Sequence, residues 1–260
     1  MLMRKFPDMT LFPSLLGAGS VCAAGVFAWS AVAPSAQLFG PTIRRLEDAS
    51  AMALTFDDGP NTGITPKILD LLERHKVRAT FFLIGKYVRS FPAIAKEIFA
   101  RGHAIGNHTD THPALTFCSR SHIAAELDRC DSAFFEATGN AARWMRPPFG
   151  YRGPHLSEIV QKRGKKGIVM WSASARDWNS QPAEHAINRL RRARGGDIVL
   201  LHDGDHRVPD CDRRHTIAAL EYWLPRWKDA GIRFANLDEM DGRDRPAGAR
   251  IFSDSPLRGL

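Results

Sequence analysis

From Ala51 onward the chain alternates short apolar runs with stretches of helical periodicity, and this alternation limits the fold more than any other feature. Strand-like runs fall at Ala51–Phe56, Ala79–Ile84, Ala104–Asn107, Trp144–Arg146, Ile168–Ser172, Ile198–His202 and Arg233–Leu237. Helical stretches separate them, at 65–76, 91–101, 121–137, 154–163, 182–194 and 216–230. Ile68-Leu69-x-Leu71-Leu72 and Ile217-x-x-Leu220-x-x-Trp223-Leu224 each gather apolar side chains on one helix face. Strands joined through helices run parallel, so the expected fold is α/β with a parallel sheet. Periodicity alone leaves open whether that sheet is doubly wound or closed into a barrel. The 260 residues, 44% hydrophobic and 25% charged, suffice for one domain with a full core.

Polar chemistry collects where these strands end. Asp57 and Asp58 follow the first strand in Thr55-Phe56-Asp57-Asp58-Gly59-Pro60. His108 follows the third in His-Thr-Asp-Thr-His, Arg146 ends the fourth, Asp177 follows the fifth and His202 ends the sixth. Carboxyl ends of parallel strands are where α/β barrels build their sites. One carboxylate of the Asp57-Asp58 pair with His108 and His112 has the composition of a Zn²⁺ site that keeps one position open for water. The second carboxylate beside it can take that water's proton, which makes the set a candidate metal-assisted hydrolase centre. His202 titrates in the range useful for a proton donor, and Asp177 can fix its tautomer. Each motif also has a plainer reading. Asp-Asp-Gly-Pro is a good turn, and His202-Asp203 can close a buried strand. Asp177-Trp178 can be a surface turn with a core indole, and Arg146 a surface charge before a kinked loop. Their joint occurrence in this order favours the chemical reading. His75, His122, His155, His185 and His215 are expected to be structural or exposed.

No charged side chain occurs between Asp8 and Arg44, and Leu11 to Ala33 is long enough to cross a bilayer as a helix behind Arg4 and Lys5. Ala31-Val32-Ala33 also looks like a signal-cleavage site. The length of the apolar run, and Pro34 after the scissile bond, favour an uncleaved anchor. The expected organisation is therefore an N-terminal hydrophobic helix serving as membrane anchor or signal segment over 1–35, a linker over 36–50, a catalytic domain over 51–241 and a loosely ordered tail over 242–260. An anchor puts the domain outside the cytoplasm, periplasmic or at the cell surface, and cleavage would secrete it. A net charge of +8 favours anionic surfaces such as lipid headgroups or acidic cell-wall polymers. The run Arg189–Arg194 has no interleaved aromatics to stack bases, so nucleic acid is not an expected partner. Cys22, Cys118, Cys130 and Cys211 lack Cys-x-x-Cys spacing, which argues against a zinc ribbon. One disulfide among the last three, or reduced thiols throughout, both stay open. Asp205–His215 is a long polar insertion, read as a specificity element or a mobile loop.

Five motifs stand in order: Thr-Phe-Asp-Asp-Gly-Pro, His-Thr-Asp-Thr-His, Arg-Pro-Pro-Phe-Gly, Asp177-Trp178 and Leu200-Leu201-His202-Asp203. On them the chain resembles the NodB-homology polysaccharide deacetylases, carbohydrate esterase family four, from about Ala51 to Asp241. The resemblance implies a distorted (β/α)7 barrel, in keeping with the seven strands read above. It implies Asp57 as catalytic base and Asp58, His108 and His112 as ligands of a divalent metal, for which Zn²⁺ fits. It implies His202 as catalytic acid, Asp177 as its orienting partner and Arg146 as the residue that tunes Asp57. Trp178 and Leu200 would form the pocket for the acetyl methyl, and the backbone amide of Phe149 would help bind the oxyanion. The implied reaction removes N-acetyl groups from N-acetylglucosamine-containing glycans. A related amide hydrolase acting on a lipid-linked amino sugar, and a catalytically silent glycan-binding protein, are the alternatives. One departure stands out: the fourth motif often begins with a further Asp, and the aligned residue here is Ser174. That change is expected to loosen the polar network under Arg146.

Overall fold

The computed structural model describes residues 25–240. The anchor-or-signal segment lies largely outside the described residues, and so does the tail from 242. No helix among the described residues is long and apolar enough to cross a membrane.

Nine strands form one parallel sheet: β1 (Thr42–Ile43), β2 (Ala51–Asp57), β3 (Thr80–Leu83), β4 (Ala104–Asn107), β5 (Trp144–Met145), β6 (Gly167–Val169), β7 (Ala173–Ser174), β8 (Ile198–His202) and β9 (Arg233–Phe234). Their order is β1-β6-β5-β4-β3-β2-β8-β7, with β9 paired to the start of β2. Helices link every pair of successive strands except β1–β2 and β6–β7, and the parallel sheet curls into the expected distorted (β/α) barrel.

β2 lies at the centre and is buried along its whole length. Its period of two sorts the side chains. Met52, Leu54 and Phe56 enter the large core shared with the helices, packing with residues such as Ile68 and Leu220. Ala51 and Ala53 belong to a second core with Phe82, Trp144 and Val169. Small residues on that second face leave room for Thr55 and Asp57 to meet the buried Arg146.

Several elements differ from the sequence reading. The run expected as one strand over Ile168–Ser172 ends at Val169, and β7 begins at Ala173. In the gap, the Met170 carbonyl accepts from Arg146 and the Ser172 hydroxyl bonds Asp197, so these groups are satisfied outside a continuous ladder. The seventh run shortens to β9, because Asn236 caps a short helix, Leu237–Met240: its Oδ1 accepts from the Glu239 amide, and the Glu239 carboxylate accepts from the Asn236 amide. A helix at Gly85–Ser90 follows β3 directly. Within 36–50, expected as a linker, β1 pairs with β6 and both Ala36 and Leu46 are buried. The buried Arg152 donates to the carbonyls of Ala36 at 2.7 Å, Ser30 at 3.3 Å and Ala33, and its amide donates to the Ala31 carbonyl at 2.9 Å. This stretch is therefore fastened to the barrel.

The loops after β2 and β8 interlock through glycine. A Cβ at Gly204 would lie 2.1 Å from the Asp58 carbonyl oxygen, and one at Gly59 would lie 2.3 Å from the Asp203 carboxylate. Gly204→Ala is expected to cost about 1–3 kcal/mol through overpacking. A thermal melt checks this, and the variant should unfold several degrees below the unmodified protein.

Candidate active site

The β2–β8 ladder sets Asp57 directly opposite His202. Asp57 is buried and its Oδ1 accepts from Arg146 Nη1 at 2.7 Å. Arg146 is completely buried. Its Nη1 also meets Thr55 Oγ1 at 2.8 Å, its Nε the Val169 carbonyl at 3.2 Å and its Nη2 the Met170 carbonyl at 3.2 Å. Every guanidinium nitrogen thus has an acceptor without help from residue 174. Ser174 Oγ instead accepts from the Arg176 amide at 3.1 Å, shaping the turn that leads into Asp177. Asp57, the Thr55 hydroxyl and two backbone carbonyls supply these acceptors, so Arg146 is satisfied with Ser at position 174.

Asp58, His108 and His112 converge, each offering one donor atom, with all donors within 4.8 Å of one another. Asp58 Oδ1 lies 3.4 Å from His108 Nε2 and 3.1 Å from His112 Nε2. Donors arranged tetrahedrally at about 2.1 Å from one ion are separated by about 3.4 Å, so the set fits a Zn²⁺-sized cation. Asp58 Oδ1 is buried without a hydrogen-bond partner, the condition of a ligand atom. Burial opposes its charge, yet the two imidazoles hold the carboxyl well below the usual carboxylate range. His108 Nδ1 donates to the Arg146 carbonyl at 2.7 Å, which fixes the tautomer and leaves Nε2 for a metal. Burial pulls His112 down to about 4 against the opposing pull of Asp58, so its ring is the neutral form that metals bind.

The loop carrying both imidazoles is held from behind. Glu126, buried on the helix Arg120–Thr138, accepts from the amides of Asp110 at 3.0 Å and Thr111 at 2.8 Å. Asn107 Oδ1 accepts from the Thr109 amide at 2.9 Å. Such bracing is needed because the backbone is strained here. Of the six non-glycine residues with positive φ among the described residues, five lie in or beside the site: Asp58 (73°), Thr109 (67°), His112 (65°), Phe149 (58°) and Arg176 (52°).

His202 Nδ1 donates to Asp177 Oδ1 at 2.8 Å, and the His202 amide donates to Oδ2 at 3.0 Å. Thr216 Oγ1 adds a bond to Oδ2 at 2.7 Å, and His215 Nε2 donates to the Asp177 carbonyl at 2.9 Å. Asp177 is completely buried. Burial works against the imidazolium, but the Asp177 carboxylate outweighs it, and His202 is pushed up to about 9. The ring therefore carries its proton at neutral pH.

These groups open onto a cavity of about 450 Å³. Of the ten residues singled out from the sequence, Asp57, Asp58, His108, His112, Phe149, Trp178, Leu200 and His202 line it. Arg146 and Asp177 stand behind, each bonded to the residue it was expected to serve. The Trp178 ring meets His202 edge-on at 5.9 Å, and Phe149 meets His112 at 4.6 Å. Tyr151, Trp171, Asn179 and His206 also line the cavity and were not singled out. Only His206 had a signal, its place in the polar insertion after His202. Cys118, Cys130 and Cys211 are free thiols, so no disulfide forms among them.

The polysaccharide deacetylase family profile matches residues 45–168. A peptidoglycan-N-acetylglucosamine deacetylase of Bacillus cereus is 38% identical over 192 residues, covering 73% of this chain and 87% of the relative. The chain belongs to the polysaccharide deacetylase family. A chitooligosaccharide deacetylase of Azorhizobium caulinodans is 34% identical over 203 residues, 75% of this chain and 96% of the relative. The crystal structure of the Bc1960 peptidoglycan N-acetylglucosamine deacetylase in complex with 4-naphthalen-1-yl-N-oxidanyl-benzamide superposes with a TM-score of 0.68 at 34% identity, covering 74% of this chain and 87% of that one.

Asp58→Asn removes the charged donor from the three-residue set. Zn²⁺ affinity, measured by competition with a chelating dye, is expected to fall by more than the about 10–100-fold typical of losing an outer hydrogen-bond partner. Unchanged affinity would remove Asp58 from the ligand set.

Proposed function

We propose that this polysaccharide deacetylase family member is a divalent-metal-dependent enzyme that hydrolyses the N-acetyl groups of N-acetylglucosamine-containing glycans. One observation carries the reading: a carboxylate fixed by arginine, Asp57, faces the Asp177-bonded imidazole of His202 across a single strand ladder beside a set of three potential metal donors. The N-acetylglucosamine unit named for the Bacillus relative is also the repeating unit of chitooligosaccharides, which supports this substrate class. The N-hydroxyamide bound by the Bc1960 enzyme is of a class that chelates metals, which supports a metal in the reaction. The apolar run from Leu11 supports delivery of the domain outside the cytoplasm, where cell-wall glycans lie.

A divalent cation held by Asp58, His108 and His112, with Zn²⁺ suited to the donor types, would polarise a water molecule and the amide carbonyl. Asp57, oriented by Arg146, takes a proton from the attacking water as its oxygen bonds the carbonyl carbon. The Phe149 amide donates to the oxyanion that forms. Trp178 and Leu200 enclose the acetyl methyl and exclude water from it. His202 gives its proton to the amide nitrogen, the C–N bond breaks, and the amine leaves with acetic acid, which ionises to acetate in solution. Asp57 ends protonated and His202 neutral, and one proton exchanged through solvent restores both.

Acetate release from N-acetylglucosamine oligomers tests this. Chelation should abolish release and added Zn²⁺ should restore it. Asp57→Asn and His202→Ala are each expected to lower kcat by about 10²–10⁴-fold. Near-unmodified rates in either would refute the assignment.

The pH profile gives an independent check. His202 must carry a proton to act, so activity falls as pH rises through its titration. Asp177→Asn removes the charge that raises His202, and the alkaline limb should move to lower pH. A limb that stays in place would exclude His202 as the acid.

A further inference from the structure

One wall of the cavity is left unused by the chemistry above. The His206 ring stacks on His112 with centroids 4.3 Å and planes 18° apart, and it meets Phe149 edge-on at 5.3 Å. His206 belongs to the polar insertion after His202, and that insertion is firmly built. Its Asp205 carboxylate is buried and accepts from Arg213 Nη2 at 3.2 Å and Arg207 Nη2 at 3.0 Å. The Tyr87 hydroxyl donates to the Asp205 carbonyl at 3.1 Å, and Lys86 Nζ to the His206 carbonyl at 2.8 Å. Arg213 Nε donates to the Gly204 carbonyl at 3.0 Å. All of these bonds hold the backbone or Asp205, and none touches the imidazole. Among the described residues, the His206 ring nitrogens meet no hydrogen-bond partner, although the ring lines the cavity. A polar group so rigidly presented, with its hydrogen-bonding capacity unspent, is preorganised for a ligand.

Two aromatic groupings line the cavity. Trp178 stands against His202, with Leu200 also in the lining. Phe149 stands against His112 and His206, with Tyr151 5.5 Å from Phe149. Trp178 and Leu200 are the groups assigned to the acetyl methyl. A pyranose, with hydroxyls on its edge and C–H groups on its faces, matches the second grouping, where aromatic rings adjoin an unpartnered imidazole.

We propose that His206 is a substrate-binding residue that hydrogen-bonds a hydroxyl of the N-acetylated sugar and, with Phe149, selects pyranose substrates. This rests on the deacetylase reading and extends it by giving the sugar its recognition group. The insertion thereby acts as a specificity element.

Steady-state kinetics on the N-acetylglucosamine tetramer test the assignment, using the full chain loaded with Zn²⁺. His206→Ala is expected to raise KM by about tenfold, the scale of one lost hydrogen bond with its packing, and to change kcat far less. His206→Gln, which keeps a donor and an acceptor, should recover most of that loss. Bound zinc, measured in parallel, should match the unmodified protein. An unchanged KM, a loss confined to kcat, or a loss that tracks missing zinc would each overturn the proposal, the last by showing that His206 merely supports His112. These failures leave acetate release by the unmodified enzyme intact. Absence of release by the unmodified enzyme would instead refute the proposed function, and this inference with it.

Discussion

The parallel pairing of β2 with β8 governs the chemistry of this molecule. Neighbouring strands lie about 4.8 Å apart, and the register sets Asp57 opposite His202. Side chains at paired positions share a face, so both groups look into one cavity. A slip of one residue would match Asp57 with Leu201 or Asp203 and turn the facing side chains to opposite faces of the sheet. The register is over-determined. Thr55 Oγ1 crosses to the Val199 carbonyl at 2.7 Å, and the Asp203 and Gly204 amides return to the Asp57 carbonyl at 3.2 and 3.3 Å.

Two charged contacts are buried at the two facing groups: Arg146 with Asp57, and His202 with Asp177. Buried ion pairs are poor sources of stability, because desolvation consumes most of their attraction. These two are tolerable because carbonyls, amides and the Thr55 and Thr216 hydroxyls satisfy the remaining polar atoms. The cluster of positive φ angles around the same groups adds further cost. The large apolar core beneath β2 offsets both, which is why a fully buried central strand and a strained polar rim occur in the same element and its loop.

Much of this was legible in the chain itself. Long apolar runs such as Ile198–His202 announce buried strands, and the polar residues that end them announce a rim. The five motifs carry the ten candidate residues, and eight of these line one cavity. Short elements escaped notice for a physical reason. β1 is two residues long, and backbone bonding to β6 forms it without any side-chain pattern. The division of Ile168–Ser172 depends on a carbonyl recruited by Arg146 from another strand, and no local window contains that information. Glu126, Thr216 and His215 support the site from helices far along the chain, where they read as ordinary helix residues. His206 lacked a recognisable spacing and depends wholly on how Asp205 and Arg213 fold the insertion.

Arg152 lies three residues beyond Phe149 and draws together the carbonyls of Ser30, Ala33 and Ala36. The chain arriving from its N-terminal side is thus riveted to the lip of the cavity rather than hung from a slack tether. Tension on residues 30–36 would travel through a handful of covalent bonds to the ring of Phe149. One guanidinium, together with the β1–β6 pairing, thus sets how this stretch lies against the rim.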